Sequence, residues 1–215
     1  MGGPSREPPP ILPAEPEIRV WPAGQRLHRV FTHSRGPTDF NPRKGEGRFH
    51  PIWDPATGAP IATLYAASTL DAAFAESIFR NVPVRGPATI RSVRAELLAT
   101  LSVCELVPRR DLRLAALLGS RLRRLQLERS EIVDSPRYES TARYAEALFA
   151  SAPRPDGIAW TSRLDDSATA IVLFGGRVAA ADLSVAATSL PLASGPGYEL
   201  VLQAANRCDI LVLPL

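Results

Sequence analysis

The spacing of apolar positions changes period several times along the chain, and each change marks an element. EIRVWPAG and RLHRVF are short runs rich in Val, Trp and Phe, bounded by turn residues, and predict two strands. PIATLYAA predicts a third. From Leu70 the period lengthens: Leu70, Phe74 and Ile78 recur every four residues, the buried stripe of a helix. Ser68 is its expected cap, with Asp71 three positions on, and Asn81 and Pro83 its expected end. TIRSVRAEL and TLSVCEL read as strands, and DLRLAALLGSRLRRLQL as an amphipathic helix. SPRYESTARYAEALFAS is a second helix, capped by Ser135 with Pro136 in its first turn. GIAW, TAIVLF and RVAAADL predict strands, and DILVLPL a last one. Strands and helices mix without strict alternation, which predicts an α+β fold; no internal repeat is present.

The 215 residues suit one domain. Residues 1–18 are rich in proline and too poor in apolar surface to offset their ordering entropy, so a disordered tail is expected there and a single domain over 19–215. No apolar run approaches the roughly 20 residues of a membrane span, and the N-terminus lacks the apolar core of a signal peptide, so a cytoplasmic protein with no membrane partner is expected. Two cysteines, Cys104 and Cys208, sit among apolar neighbours and read as buried thiols; no metal-ligand spacing is present. The net charge is +3, almost all of the cation is arginine, and Lys44 is the single lysine. The cluster RLRRLQLER reads as the wet face of a helix, and no direct nucleic-acid binding is expected. A site for a small phosphorylated ligand stays open, because guanidinium forks match phosphate oxygens.

Five residues carry the candidate chemistry. Glu76 lies on the predicted helix beside Ala72 and Ala73, which would leave room for a ligand; its plain reading is a surface pair with Arg80. Arg48 stands at the exit of the long loop THSRGPTDFNPRKGEG, a length that suits a functional loop. Arg29 lies within a strand pattern, where a buried guanidinium needs an anionic partner and an exposed one needs none. Tyr65 ends a strand and reads either as a stacking surface or as a core tyrosine with a satisfied hydroxyl. Ser162 follows a strand and reads alone as a turn serine. Taken singly, none outweighs its structural reading.

Their order does more. The series HRVF, GRFHP, LYAASTLDAAFAE, DGIAWTSR and VLFGGR, from about residue 24 to 185, resembles the RES domain family, named for characteristic Arg, Glu and Ser residues. That resemblance implies a fold similar to ADP-ribosyltransferase toxins. It implies a toxin that consumes NAD+ by hydrolysis or phosphorolysis of the nicotinamide–ribose bond, and an Xre-type helix-turn-helix antitoxin as partner. By position, the family's arginines fall on Arg29 and Arg48, its tyrosine on Tyr65, its glutamate on Glu76 and its serine on Ser162. The family often has Trp-Asn after the second arginine, where this chain has Phe49-His50. No cofactor is implied: NAD+ is a substrate and inorganic phosphate a possible co-substrate.

Nicotinamide is already a good leaving group, so the site needs negative charge beside an oxocarbenium-like ribose and anchors for the phosphates. Glu76 suits the first task; Arg29 and Arg48 suit the second, with Tyr65 packing the nicotinamide end and Ser162 fixing the ribose or a neighbouring arginine. Two other readings are an ADP-ribosyltransferase acting on a macromolecule and a non-enzymatic interaction module docking through the Arg121–Arg129 helix. Phe74, two positions before Glu76, disfavours the arginine-modifying kind of transferase.

Overall fold

The computed structural model describes residues 9–42, 47–83, 91–133 and 138–214. In chain order they form β1 (Ile18–Trp21), β2 (Leu27–Thr32), β3 (Ile52–Trp53), β4 (Pro60–Ile61), β5 (Thr63–Ala67) and α1 (Leu70–Ala75). Then come β6 (Ser92–Arg94), a 3-10 segment (Ala95–Thr100), β7 (Leu101–Pro108), β8 (Leu112–Leu117), α2 (Arg121–Arg124), α3 (Arg129–Ile132) and α4 (Tyr138–Ala150). The chain ends through β9 (Gly157–Thr161), β10 (Thr169–Phe174), β11 (Leu183–Val185), β12 (Leu190–Pro191), α5 (Gly195–Arg207) and β13 (Leu211–Leu213). The result is the mixed α+β, single-domain fold that the pattern predicts.

The large sheet runs β1-β8-β9-β10-β5-β2-β7-β11, with β12 also on β7. All its pairs are antiparallel except β8 with β9, which α2, α3 and α4 connect. Strand β10 shows how the core is divided. Ala170, Val172 and Phe174 face a cluster with Trp160, Ile158 and the α4 residues Ala145 and Leu148. Ile171 and Leu173 face the opposite cluster with Trp21, Leu27 and Leu114. Both faces are covered, so the strand reads as a continuous apolar run rather than an alternation. A third cluster joins α1, α5 and the small β6–β13 sheet through Phe74, Val93 and Val201.

The sheet has one weak join. Strands β2 and β5 pair at a single register position, His28 opposite Ala67. Beyond it they part, and each keeps its other neighbour, β7 and β10 respectively. The open side of that join becomes the cleft described below.

Several predicted elements are corrected. The run DLRLAAL is strand β8, not a helix: Leu112 and Leu114 face one cluster, Ala115 and Leu117 the other, and only the short α2 follows. RVAAADL forms a strand only from Leu183; Ala180–Asp182 is a 3-10 turn. Of TIRSVRAEL, Ser92–Arg94 is a strand and the following residues a 3-10 segment, while Thr89 and Ile90 lie outside the described residues. Helix α1 is capped by Thr69, whose hydroxyl accepts from Ala72 N, and it stops at Ala75. Ser68 accepts instead from Thr169 N and ties the strand end to β10. The predicted cap at Ser135 and Pro136 lies outside the described residues. Helix α5 was not predicted; it seats Gly197 against the Pro191 carbonyl so closely that a Cβ there would collide with backbone.

Toward the N-terminus the chain is held ahead of β1. Leu12 packs on the α4-side cluster, the Glu15 carbonyl accepts from Arg124 Nε, and Glu17 pairs with Arg121 at 2.6 Å. Exposed pairs of this kind contribute at most about 1 kcal/mol each. Of the two thiols Cys104 is buried, whereas Cys208 is only partly so. Among the described residues no helix is long and apolar enough to cross a membrane.

Candidate active site

A cleft of about 650 Å³ opens where β2 and β5 part, and Arg29, Arg48, Tyr65 and Glu76 all line it. Ser162 does not line it; it lies behind Glu76, fully buried. The five residues singled out in the sequence therefore meet at one place, four on the surface of the cleft and one beneath it.

Glu76 is the C-cap of α1, with its backbone N–H donating to Ala72 O. Because the helix ends there, the carboxylate leaves the packed face and reaches the loop after β9. Ser162 Oγ donates to Glu76 Oε1 at 3.0 Å, and Arg163 N donates to the same oxygen at 2.9 Å. The surface pair with Arg80 is not what holds it. Ser162 is itself fixed, its N–H donating to Ala168 O at 3.0 Å. The other carboxylate oxygen makes no protein hydrogen bond among the described residues. Ala72 and Ala73 give no room for a ligand, contrary to expectation: they are buried against Ala67 and Ala168, and Ala75 borders the cleft instead. Small side chains at those two positions let α1 lie close on the sheet.

Arg29 projects from β2 and is only 5% exposed. Its Nη2 donates to Asp39 O at 2.7 Å, while the buried Nη1 has no partner. Burial lowers its pKa to about 10, Cys104 and Asp39 oppose that shift, and Arg35 adds to it. The group is still a cation at neutral pH, so it is a buried charge whose solvation is incomplete.

Arg48 is held from the other side of the cleft. Its Nη1 donates to Ile132 O at 2.5 Å, and the Thr141 hydroxyl of α4 donates to its backbone carbonyl. Its guanidinium lies 5.7 Å from the Tyr138 ring. Burial lowers its pKa, while the charge of Glu76 works in the opposite direction.

Tyr65 uses its hydroxyl to accept from Phe49 N at 2.9 Å, and its ring meets Trp160 edge-on at 6.1 Å. Burial pushes its pKa up. A Cβ on Gly47 would stand 3.0 Å from that hydroxyl, so the glycine is what lets the loop close over the ring. His50 is buried with Nδ1 3.0 Å from Thr63 Oγ1 and Nε2 3.2 Å from Asn41 Nδ2. An amide nitrogen donates, so Nε2 accepts and the ring proton sits on Nδ1.

Sequence reasoning missed Arg35, Arg80, Arg94, Arg163 and Tyr138, which also line the cleft. Arg163 carried a signal, since it adjoins Ser162; the others come from turns and element ends with no local pattern. Trp160 lines the cleft too, and its buried Nε1 has no partner. Among the described residues the cleft thus holds unsatisfied donors on Arg29 and Trp160 and one open carboxylate oxygen, a set that suits an anionic ligand carrying hydroxyl groups. Among the described residues no three His, Cys, Asp or Glu side chains form a metal-binding group.

Comparison with known proteins agrees with the fold. The crystal structure of the M. tuberculosis MbcT–MbcA toxin–antitoxin complex is similar, with a TM-score of 0.61 and 16% identity over 87% of this chain and 92% of that one. No curated protein sequence matches the chain. The RES domain matches residues 19–194, a span that contains every residue of the cleft described above, and the protein belongs to the RES domain family.

Proposed function

We propose that this chain is a RES-type toxin that depletes cytoplasmic NAD+ by cleaving the nicotinamide–ribose bond, and that an Xre-type helix-turn-helix antitoxin restrains it. The observation that carries the reading is the state of Glu76. One of its oxygens is held by Ser162 and Arg163, and the residue lines the cleft with its second oxygen unpartnered among the described residues. A carboxylate fixed before substrate arrives stabilises a developing cation without reorganising in the transition state.

In this reading the C1′–N bond breaks and its electron pair goes to the nicotinamide nitrogen, which leaves neutral. The ribose becomes an oxocarbenium-like cation beside Glu76. A water or phosphate oxygen then attacks C1′, and water gives up a proton as the new bond forms. Arg29 and Arg48 serve as forks for the pyrophosphate or for an incoming phosphate, and the unpartnered Nη1 of Arg29 supports that role. Tyr65 and Trp160 supply an aromatic wall at the same end. The antitoxin partner is supported by family membership and by the likeness to a toxin of a toxin–antitoxin complex.

The test is NAD+ loss by purified protein free of any co-purified partner, with and without inorganic phosphate, following products by mass. Free ADP-ribose identifies hydrolysis; a phosphorylated ADP-ribose that needs phosphate identifies phosphorolysis. ADP-ribose found only on proteins of an added lysate would replace this reading with a transferase. No loss of NAD+ from folded protein would overturn it.

A further inference from the structure

The arginines of the cleft divide into an inner and an outer set. The inner set surrounds Glu76: Arg48 and Arg80 lie 5.7 and 5.8 Å from the Tyr138 ring, and Arg163 supplies a backbone donor to the carboxylate. The outer set is Arg35 and Arg94, which line the same cleft as the buried Arg29. Arg35 is close enough to Arg29 for its charge to depress the pKa of Arg29.

Arg35 and Arg94 belong to one end of the cleft. The turn after β2 that carries Arg35 is tied down by His33, whose N donates to Thr100 O at 2.8 Å and whose Nε2 lies 3.0 Å from Ser102 Oγ. Arg94 ends β6 and runs straight into the Ala95–Thr100 segment. That segment presents Leu97, which is 48% exposed and lines the cleft beside Val93. Neither Arg35 nor Arg94 has a side-chain hydrogen bond or an acidic partner among the described residues.

The charge balance points to the ligand. The lining carries Arg29, Arg35, Arg48, Arg80, Arg94 and Arg163 against the carboxylate of Glu76, so the two negative charges of the NAD+ pyrophosphate leave a surplus of cation. Of these arginines, Arg35 and Arg94 line the cleft together with the apolar Val93 and Leu97. A phosphate monoester on the adenosine ribose would supply up to two further charges, on a dinucleotide whose other ribose lies at Glu76. Arginine forks take such a phosphate where other folds distinguish the phosphorylated dinucleotide from the plain one. Resting on the reading of the cleft given above, we infer that it takes a 2′-phosphorylated nicotinamide dinucleotide, NADP+, in preference to NAD+. Arg35 and Arg94 hold the added phosphate, and Leu97 with Val93 forms the apolar surface for the adenine.

The experiment is calorimetric titration of the Glu76→Gln protein, at fixed ionic strength, with NAD+, with NADP+, and with NAD+ plus inorganic phosphate. NADP+ is expected to bind about tenfold more tightly or better, the effect of one or two charge-assisted hydrogen bonds. Arg35→Ser and Arg94→Ser should each reduce the ratio of the two dissociation constants, and the double variant should bring it near one. Arg35→Lys keeps the charge but loses the fork, and should recover part of the ratio; circular dichroism checks that every variant folds. Equal or weaker binding of NADP+ overturns the inference. So does a result in which inorganic phosphate tightens NAD+ through Arg35 and Arg94 while NADP+ gains nothing, for the outer pair would then hold the free acceptor. If wild-type protein cleaves NAD+ without a preference for NADP+, the inference falls and the NAD+-cleaving reading stands. If NADP+ binds tightly and neither dinucleotide is cleaved, the reading falls and the phosphate subsite stands. If neither binds, both fall.

Discussion

Ser162 Oγ donates to the same oxygen of Glu76 that accepts from Arg163 N, so a residue buried beneath the cleft fixes a carboxylate 86 positions away in the chain. The two donors come from the end of β9 and the loop after it, while the carboxylate comes from the last turn of α1. Three elements thus converge on one oxygen and leave the other for a ligand.

Glu76→Gln keeps an acceptor for Ser162 and Arg163, so the fold should survive. The charge beside the ribose is lost, and turnover of NAD+ should fall by about 10² to 10³, in the range of losing one electrostatic stabiliser of a transition state. Single-turnover kinetics with a matched thermal melt checks this; full turnover in a folded variant would remove Glu76 from the chemistry. Ser162→Ala should act more weakly and mainly on kcat, by about tenfold, because Arg163 N still holds the carboxylate.

Arg29 is expected to trade stability for binding. Burial depresses its pKa to about 10, so the charged form disfavours folding at neutral pH, by roughly 3 kcal/mol if the whole shift is counted. Arg29→Gln should therefore raise the unfolding midpoint of the ligand-free protein. Added NAD+ or phosphate should then stabilise the wild type and leave the variant nearly unmoved. Melts with and without ligand decide the matter; a variant less stable than wild type without ligand contradicts the account.

Gly47→Ala tests how closely the loop must lie over Tyr65. A Cβ at 3.0 Å from the hydroxyl forces the ring or the loop to shift, which should cost about 1–3 kcal/mol in denaturant titration. Tyr65→Phe removes the acceptor from Phe49 N and should cost a similar amount, about 1–3 kcal/mol for an unsatisfied buried donor. The two effects should fall short of additivity in the double variant, since both act through one hydroxyl.

Cys104 gives a pH dependence with a definite sign. Burial raises its thiol from 9.0 to about 11, against the pull of Arg29. Above pH 9 the unfolded chain releases the thiol proton while the folded chain keeps it. Stability should therefore fall as pH rises from 9 to 10, with a slope of at most about 1.4 kcal/mol per pH unit from this group. Cys104→Ala should flatten that slope, whatever it does to the absolute stability. At neutral pH thiol reagents should modify Cys208 well before Cys104, which is buried.

The sequence made some elements readable and hid others for physical reasons. Helix α4 and strands β2, β7, β9 and β10 follow their patterns because their ends carry turn residues and their lengths are typical. Strand β8 was hidden because both of its faces are buried: with no wet side, Leu112–Leu117 loses the period of two, and its Leu and Ala residues favour helix locally. It also runs into Arg121–Arg124, whose helical spacing extended the misreading backward. Helix α5 was hidden behind Gly195, Pro196 and Gly197, residues that usually signal a loop, although Val201, Ala204 and Ala205 do lie at helical spacing. At the site, the ordered motifs located Arg29, Arg48, Tyr65, Glu76 and Ser162, whereas no single residue did. The Arg35 and Arg94 end had no such series, because tertiary contacts alone bring the turn after β2 to the segment after β6.

The single register pair between His28 and Ala67 has a consequence for solubility. A strand that parts from its neighbour exposes a row of unpaired backbone donors and acceptors, and such edges invite pairing with other chains. Here Asn41 exchanges both backbone hydrogen bonds with Thr63 at that edge of β5, at 2.7 and 2.9 Å, and the groups left over lie along a cleft lined by arginines. A strand from a second molecule would have to enter past charged arginines to reach them. The gap that admits a small anionic ligand therefore also keeps the sheet from extending into an aggregate.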